Sequence, residues 1–213
     1  MWAFFIIGDI YMENEDILYE RANMYSKLLD IEYKFILGRK NKLKEINVVF
    51  TEFEFIHLIG LHYLKDITDL RYFKMNELYK RLLSKEITYD TIKDSDYFDL
   101  ITDRFEKFII FETLLDESKE IYLYDYKKLK YTKIKAEYLI QCFIDDGEYY
   151  IFLDKYNSGK NKGKYFCKTF FKRNKFDYTK MQTKYAVLRK EKINIETSEL
   201  LLEQGKSKEE LKI

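Results

Sequence analysis

The sequence predicts an α+β fold in which N-terminal helices and a hairpin precede a mainly antiparallel β-sheet of short strands. Before about residue 116, apolar side chains recur at the three- and four-residue spacing of amphipathic helices. From residue 120 the apolar segments are short, rich in β-branched and aromatic residues, and separated by turn sequences. Helices that precede strands along the chain are typical of the α+β class.

The first half of the chain is predicted to be helical apart from one hairpin. A helix is expected over 15–29, and a hairpin with strands 31–37 and 43–50 around GRKNK. Thr51 and Glu54 have the spacing of a capping box, which predicts the start of the next helix. Further helices are expected over 74–83 and 96–115, with a short helical turn within 84–94.

Five short strands are predicted in the second half, at 121–126, 137–144, 149–153, 165–171 and 184–189. The sequence DDGE at 145–148 predicts a tight hairpin connection. The segment from Asn194 is charged, and its SELLLEQ sequence predicts at most a short helix. We therefore expect one α+β domain over 1–193, followed by a charged tail over 194–213.

The first eleven residues form an apolar segment that is too short to span a bilayer and lacks the basic start of a signal peptide. We expect residues 1–11 to be an upstream-start extension. The alternative is a strand that covers a sheet edge. Cys142 and Cys167 lack CxxC spacing, so we expect reduced, buried thiols in a cytoplasmic protein without a membrane partner.

The most unusual feature of the composition is a cationic stretch. Residues 164–192, here called the basic segment, contain ten lysines and arginines, seven aromatic residues and two acids, a formal +8 in a chain of +1. This pattern favours a phosphate-backbone ligand, and the rings can stack on the unpaired bases that RNA offers. The alternative is a pair of half-buried strands with a solvated lysine face.

Several motifs with known chemistry are absent from the sequence. It contains no glycine-rich phosphate loop, HExxH, GxSxG or zinc-type cysteine and histidine spacing, so we expect neither a nucleotide cofactor nor a metal. The only histidines are His57 and His62, which a continuous helix would place about 140° apart. A shared site is then not expected. We predict an exposed His57 and a His62 that packs in the core.

A ribonuclease without a metal needs a base, an acid and cations around the phosphate that is attacked by the 2′-hydroxyl of RNA. Donors of this kind in the basic segment are Lys168, Thr169, Arg173, Tyr178, Gln182 and Lys184. Arg71 and Arg104 offer guanidinium groups, which bind phosphate in a bidentate manner. Glu137 is either a general base or the ion-pair partner of Lys133 or Lys135.

Three segments resemble one known family: FEFIHLIGLHYLKDI (53–67), TKIKAEYLI (132–140), and CKTFF (167–171) followed by DYTKMQTKYAVLRKEKI (177–193). They are similar to phage and mobile-element barnase–EndoU–colicin E5/D–RelE-like nuclease domains of the variety with an HL.GL..L helix. The resemblance spans about residues 13–193 and implies helices followed by an antiparallel sheet, and a metal-independent ribonuclease activity. Carried onto this chain, it implies roles for His57, His62, Lys133, Glu137, Lys168, Thr169, Tyr178, Gln182 and Lys184.

These observations together predict an RNA-binding protein that resembles a metal-independent ribonuclease. The predicted catalytic residues are His57, His62, Lys168, Thr169, Gln182 and Lys184. The predicted RNA contacts are Arg71, Lys164, Phe170, Lys172, Arg173, Tyr178 and Arg189. The alternatives are a catalytically inactive anti-CRISPR inhibitor that binds an RNA-guided effector ribonucleoprotein, for example of type VI, or its guide RNA, and a structural interaction module of a mobile element.

Overall fold

The computed structural model describes residues 16–212, so the predicted extension at 1–11 lies outside the described residues. Within this range the chain forms eight helices and eight strands. The helices are α1 Ile17–Ser26, α2 Glu52–Ile59, α3 Thr68–Tyr72, α4 Met75–Leu83, α5 Tyr89–Ile92, α6 Thr102–Lys107, α7 Phe111–Asp116 and α8 Lys208–Leu211. The strands are β1 Ile31–Arg39, β2 Lys42–Val49, β3 Glu120–Leu123, β4 Tyr138–Ile144, β5 Gly147–Lys155, β6 Tyr165–Lys172, β7 Thr183–Asn194 and β8 Leu200–Gly205.

Seven of these strands close into a barrel. The order is β1-β2-β6-β5-β4-β3-β7-β8, and β1 also pairs with β7. Strand β7 closes the ring because its 12 residues are enough to pair with β3 at its start and with β1 over the remainder. The contact between β2 and β6 is parallel and consists of the single bridge Val48↔Tyr165. The α+β prediction is confirmed, but the sheet is a mixed barrel, and the strands of the predicted hairpin are part of it.

The segment 96–115 is not the continuous helix that its apolar spacing predicts. It forms a 3-10 turn at Phe98–Leu100, α6, a second 3-10 turn at Phe108–Ile110, and α7. The break falls at the sequence FIIF, whose aromatic and β-branched side chains are poor helix formers. Phe105, Phe108 and Phe111 nevertheless all reach the same core, so the apolar period reflects their burial.

The SELLLEQ sequence forms a strand, so the prediction of a short helix there is wrong. Strand β8 pairs antiparallel with β7, from Ile193↔Leu200 to Arg189↔Gly205. Gly205 ends this pairing at a close approach, because a Cβ at this position would lie 2.2 Å from the carbonyl oxygen of Leu188. A glycine is needed where two backbones approach so closely.

The helices cover one face of the sheet and build the larger of two apolar cores. Helices α2 and α6 pack directly against β6, which brings their polar side chains to the same side of the barrel. The smaller core lies on the other face of β3, β4 and β5, around Tyr150, Phe152 and Tyr178. None of the helices in the described part of the chain is both long and apolar enough to cross a membrane.

A buried lysine joins the barrel to the end of α7. Lys190 is 1% exposed, and its Nζ donates hydrogen bonds to the carbonyl oxygens of Leu115 at 3.1 Å and Ser118 at 3.2 Å, and to that of Asp116. Burial lowers the pKa of this lysine to about 8, although the nearby Asp116 opposes the shift. The carbonyls at the end of a helix have no partner within the helix. Lys190 supplies one, so it is a core residue and not part of a cationic surface.

Candidate functional site

A basic cleft of about 320 Å³ opens between the end of α2, helix α6, the loop 133–135 and strand β6. Its lining is His57, His62, Tyr63, Arg104, Lys133, Ile134, Lys135, Lys168 and Thr169. Four of the six predicted catalytic residues therefore lie around one cavity, although they are far apart in the sequence. The cleft combines imidazole, hydroxyl and cationic groups, which are the groups that phosphate chemistry requires.

Gly60 brings the two histidines together. It ends α2 with a φ of +90°, and the chain turns into a 3-10 segment at Leu61–Tyr63. The ring centroids of His57 and His62 are therefore 4.6 Å apart, and the centroid of His62 is 4.1 Å from that of Tyr63. Both histidines are half-buried. The predictions of a continuous helix, of histidines that do not share a face, and of an exposed His57 with a core His62 are therefore wrong.

Both imidazoles are held in the neutral form at neutral pH. Burial, followed by the charge of Lys168, lowers the pKa of His57. Burial, followed by the neighbouring His57, lowers the pKa of His62 to about 4, and the carbonyl of Ile56, 3.5 Å from its Nδ1, opposes this shift only partly. A neutral imidazole can accept a proton, as a general base must.

A β-bulge in β6 directs two adjacent side chains into the cleft. Thr169 pairs with Phe152 and Cys167 pairs with Leu153, so Lys168 is the extra residue between them. Successive residues of a regular strand point to opposite faces, and a bulge suspends this alternation. Cys167 and Phe170 remain in the core on either side, while Lys168 and Thr169 both line the cavity.

The two bulge residues differ in how their polar groups are satisfied. Lys168 Nζ lies 2.5 Å from a carboxylate oxygen of Asp154 on the neighbouring strand, which fixes the direction of the ammonium group. The hydroxyl of Thr169 is buried and has no hydrogen-bond partner within residues 16–212. A buried hydroxyl without a partner is costly, so a ligand that accepts its hydrogen bond gains affinity.

The remaining cations of the cleft are not neutralised by acids. Arg104, Lys133 and Lys135 form no ion pair with any carboxylate of the described residues. The guanidinium carbon of Arg104 lies 5.3 Å from the ring centroid of Tyr63, which is a cation–π contact that leaves its charge uncompensated. These three cations therefore give the cleft a local excess of positive charge.

The other two predicted catalytic residues lie outside this cavity. The side chain of Gln182 bonds both backbone groups of Asp125, accepting from its N–H at 2.9 Å and donating to its carbonyl at 3.1 Å. Lys184 Nζ lies 2.5 Å from a carboxylate oxygen of Glu120. Glu137 accepts a hydrogen bond from the hydroxyl of Tyr165, and its cationic neighbour is Lys44, so the predicted pairing with Lys133 or Lys135 is wrong.

The basic segment does not form one surface. Strands β6 and β7 are separated by β5, β4 and β3, and most of the cations on them have an acidic partner. The pairs are Lys164 with Glu32, Lys168 with Asp154, Lys172 with Asp146, Arg173 with Glu148, Lys184 with Glu120, Arg189 with Glu191 and Glu203, and Lys192 with Glu112 and Asp116. The charge read along the sequence is thus largely balanced in the fold.

Three of the predicted RNA contacts are inaccessible. Phe170 is fully buried against Phe108 and Phe111, and Tyr178 is buried in the smaller core, so neither ring can receive a base. Arg189 is buried between two carboxylates. The predictions for these residues are wrong because the sequence does not reveal which side chains the barrel and the smaller core enclose. Arg71 is exposed on α3, and Lys164, Lys172 and Arg173 are at least partly accessible in ion pairs.

Sequence reasoning missed three groups at the site, namely Tyr63, Lys135 and Asp154. Tyr63 and Lys135 could have been found from the sequence, because Tyr63 follows the predicted residue His62 and Lys135 is two residues from Lys133. Asp154 could not have been found in this way, because its contact with Lys168 depends on the pairing of β5 with β6.

Replacement of Gly60 tests the turn that joins the histidines. An alanine Cβ would lie 2.7 Å from Cγ2 of Ile101 at a left-handed φ, so we expect Gly60→Ala to lower the free energy of unfolding by about 1–3 kcal/mol in urea denaturation. Gly159→Ala is the matched control, because its φ is +75° but nothing lies within 4 Å of its Cβ. Equal losses for the two variants would show that the contact with Ile101 does not matter.

An α+β domain with two adjacent histidines, a hydroxyl and several cations around one cleft has the equipment of a nuclease. The family described as phage-Barnase-EndoU-ColicinE5/D-RelE like nuclease4 (PBECR4) matches residues 17–207, and the chain belongs to this family. The predicted resemblance is therefore confirmed, and the domain is nuclease-like, of the barnase and RelE type, in a phage context. No curated protein and no solved structure matches the chain significantly.

The residues described by the structure contain no cluster of three or more histidines, cysteines, aspartates or glutamates in an arrangement for a metal ion. The cleft contributes two imidazoles and, through the ion pair with Lys168, the carboxylate of Asp154.

Proposed function

We propose that the chain is a metal-independent endoribonuclease that binds RNA in the basic cleft. The observation that carries this proposal is the 4.6 Å separation of the His57 and His62 rings in a cavity also lined by Lys168 and Thr169. Two imidazoles at this distance can act on the two oxygens of one phosphodiester, one as base and one as acid.

His62 is the proposed general base. Its pKa of about 4 keeps it neutral, and its Nδ1 faces the carbonyl of Ile56, which leaves Nε2 as the acceptor. In the proposed reaction Nε2 takes the proton of the 2′-hydroxyl, whose oxygen attacks the adjacent phosphorus. The bond from phosphorus to the 5′-oxygen breaks, and the products are a 2′,3′-cyclic phosphate and a 5′-hydroxyl.

His57 is the proposed general acid. In the free protein the charge of Lys168 contributes to lowering its pKa. A bound phosphate adds a negative charge beside the ring, which favours the protonated imidazole. His57 then gives its proton to the leaving 5′-oxygen, so that protons balance over the reaction.

The cations and the hydroxyl are proposed to stabilise the phosphorane. Lys168, Lys133 and Arg104 compensate the charge that develops on the non-bridging oxygens, and the unpartnered hydroxyl of Thr169 donates a hydrogen bond to one of them. Asp154 is proposed as a positioning residue, because it orients the ammonium group of Lys168.

The test is incubation of the purified protein with end-labelled RNA, with and without a chelator. We expect cleavage that the chelator does not change, products that end in a 2′,3′-cyclic phosphate, and no cleavage of RNA methylated at its 2′-hydroxyls. Cleavage that requires a divalent metal, or that also occurs in methylated RNA, would contradict the mechanism.

The second candidate is a catalytically inactive inhibitor, in which the same cleft binds the guide RNA of an RNA-guided effector, for example of type VI. It is favoured by one observation: the pKa values of both histidines are lowered, so the neutral imidazole predominates in the free protein at neutral pH. The cations bind phosphate whether or not a proton can be delivered. Tight binding of RNA or of an effector ribonucleoprotein, without cleavage, would support this candidate.

A further inference from the structure

Four aromatic rings contact one another in turn and form a row: His57, His62 and Tyr63 line the cleft, and Phe53 lies next to His57, outside the lining. The centroid of Phe53 lies 5.4 Å from that of His57, His57 lies 4.6 Å from His62, and His62 lies 4.1 Å from Tyr63. The guanidinium of Arg104 continues the row at 5.3 Å from Tyr63. The proposed catalytic imidazoles thus have a phenyl ring on one side and a tyrosine–arginine pair on the other.

The outer end of this row is exposed to solvent. Phe53 is 52% exposed, although it lies in the first turn of α2 between two acids, Glu52 and Glu54, where a polar residue is ordinary. Its neighbours in the helix, Phe55 and Ile56, are buried. Packing of α2 therefore does not account for a phenylalanine at this position.

Phe53 and the cations suit different parts of a nucleotide. The uncharged ring of Phe53 can stack on a base but offers no positive charge to a phosphate. The cations Lys133, Lys135 and Lys168 come from the loop and the strand on the cleft, where they attract the backbone. A single strand that places its backbone on the lysines can present an adjacent base to Phe53.

From this arrangement we infer that Phe53 is a stacking platform for an unpaired base next to the scissile phosphate, so that the substrate is single-stranded RNA. Bases in a duplex are already stacked on both faces, and the deep groove of A-form RNA excludes side chains. Only an unpaired nucleotide can therefore use the ring. The inference rests on the proposed function, because it assigns the substrate class of the same cleft.

The experiment measures binding of a fluorescent single-stranded RNA whose 2′-hydroxyls are methylated, so that it is not cleaved. We expect Phe53→Ala to raise Kd roughly 5- to 150-fold, which corresponds to about 1–3 kcal/mol for one stacked base, and Phe53→Trp to bind as the wild type does. Phe143→Ala is the matched control, because Phe143 is 65% exposed but lines a different groove with Ile109. For a duplex of the same sequence, we expect weaker binding that Phe53→Ala does not change.

A second measurement needs no variant. A 2-aminopurine placed beside the scissile position should lose fluorescence on binding to the wild-type protein, because stacking on a ring quenches it. The inference would be overturned by any of four results. Two concern the variants: equal Kd values for wild type and Phe53→Ala, or equal losses of affinity for Phe53→Ala and Phe143→Ala. The other two are equal binding of duplex and single strand, and a probe that is not quenched. Cleavage of unmodified RNA by the wild type, measured in parallel, would then still stand, so the two failures are distinguishable.

Discussion

Replacement of either cleft histidine by alanine is expected to lower the rate of RNA cleavage by about 10²–10⁴-fold, the usual contribution of one general acid or base. Each imidazole is proposed to act on a different oxygen of the same phosphate, so loss of either leaves one proton transfer without a catalyst. Removing both is expected to cost much less than the product of the two single effects, because the two groups work in one step. The rate is measured in single turnover with saturating enzyme.

Stability provides the control for these variants. His57 and His62 are only half-buried, so we expect His57→Ala and His62→Ala to change the free energy of unfolding by about 1 kcal/mol or less. Added imidazole should restore part of the lost rate in His62→Ala, because a soluble base can enter the vacated space. A variant that is folded and as active as the wild type would contradict the assignment.

The pH profile gives an independent check. Both histidines have a lowered pKa, His62 near 4 against an ordinary 6.5, so the proposed base is protonated only in acid. Because kcat/KM reports the free enzyme, it follows the proposed acid His57 as well as the proposed base His62. We therefore expect kcat/KM for wild-type protein to rise as pH falls through 6.5, because His57 becomes protonated, and to decline only as pH approaches 4, where His62 is protonated. A kcat/KM that already decreases as pH falls through 6.5 would show that the catalytic base is not shielded in the way that the cleft implies.

Truncation of the buried Lys190 is expected to have the largest effect on stability, a loss of about 3–5 kcal/mol for Lys190→Ala. This variant leaves a cavity and removes the donor for the carbonyls of Leu115, Asp116 and Ser118. Lys190→Met, which restores the volume but not the donor, should lose about 1–3 kcal/mol. Urea denaturation measures both.

The matched control for Lys190 is an exposed lysine outside any element, Lys180. We expect Lys180→Ala to stay within about 0.5 kcal/mol of the wild type. If Lys190→Ala and Lys180→Ala were equally stable, the bonds to the end of α7 would contribute nothing.

Local features of the fold could be predicted from the sequence, because they depend on residues close together in the chain. The capping box of α2 is one example: the carboxylate of Glu54 accepts from the backbone N–H and the hydroxyl of Thr51. The approximate positions of seven strands are another. The family itself was also readable, because its motifs are short and contiguous.

Pairing between distant segments could not be predicted in this way. The closure of β1 on β7, the single parallel bridge between β2 and β6, and the pairing of β8 depend on register, which alternation alone does not specify. The balance of charge in the basic segment was hidden for the same reason. Lys172 and Lys184, for example, have partners in Asp146 and Glu120, which belong to other strands or turns.

The identity of four cleft residues could be predicted from the sequence, but not the backbone geometry that brings them together. His57, His62, Lys168 and Thr169 were identified by residue type and motif, but the reason for their meeting lies in two backbone features. One is the left-handed Gly60, which a helix C-cap signal would have indicated. The other is the bulge at Lys168, which has no sequence signature here. Without these features, the same residues read as members of a regular helix and a regular strand.

Because the barrel closes through the pairing of β1 with β7, its folding can be completed only after β7 has been translated. Strand β1 emerges first, but its partner β7 is about 150 residues later, a delay on the order of ten seconds at the usual speed of synthesis. Until then one edge of β1 is unpaired, and β6, which forms one wall of the cleft, is not yet part of a closed barrel. A nascent or truncated chain without β7 therefore lacks the framework of the cleft, and we expect any nuclease activity only in chains that include β7.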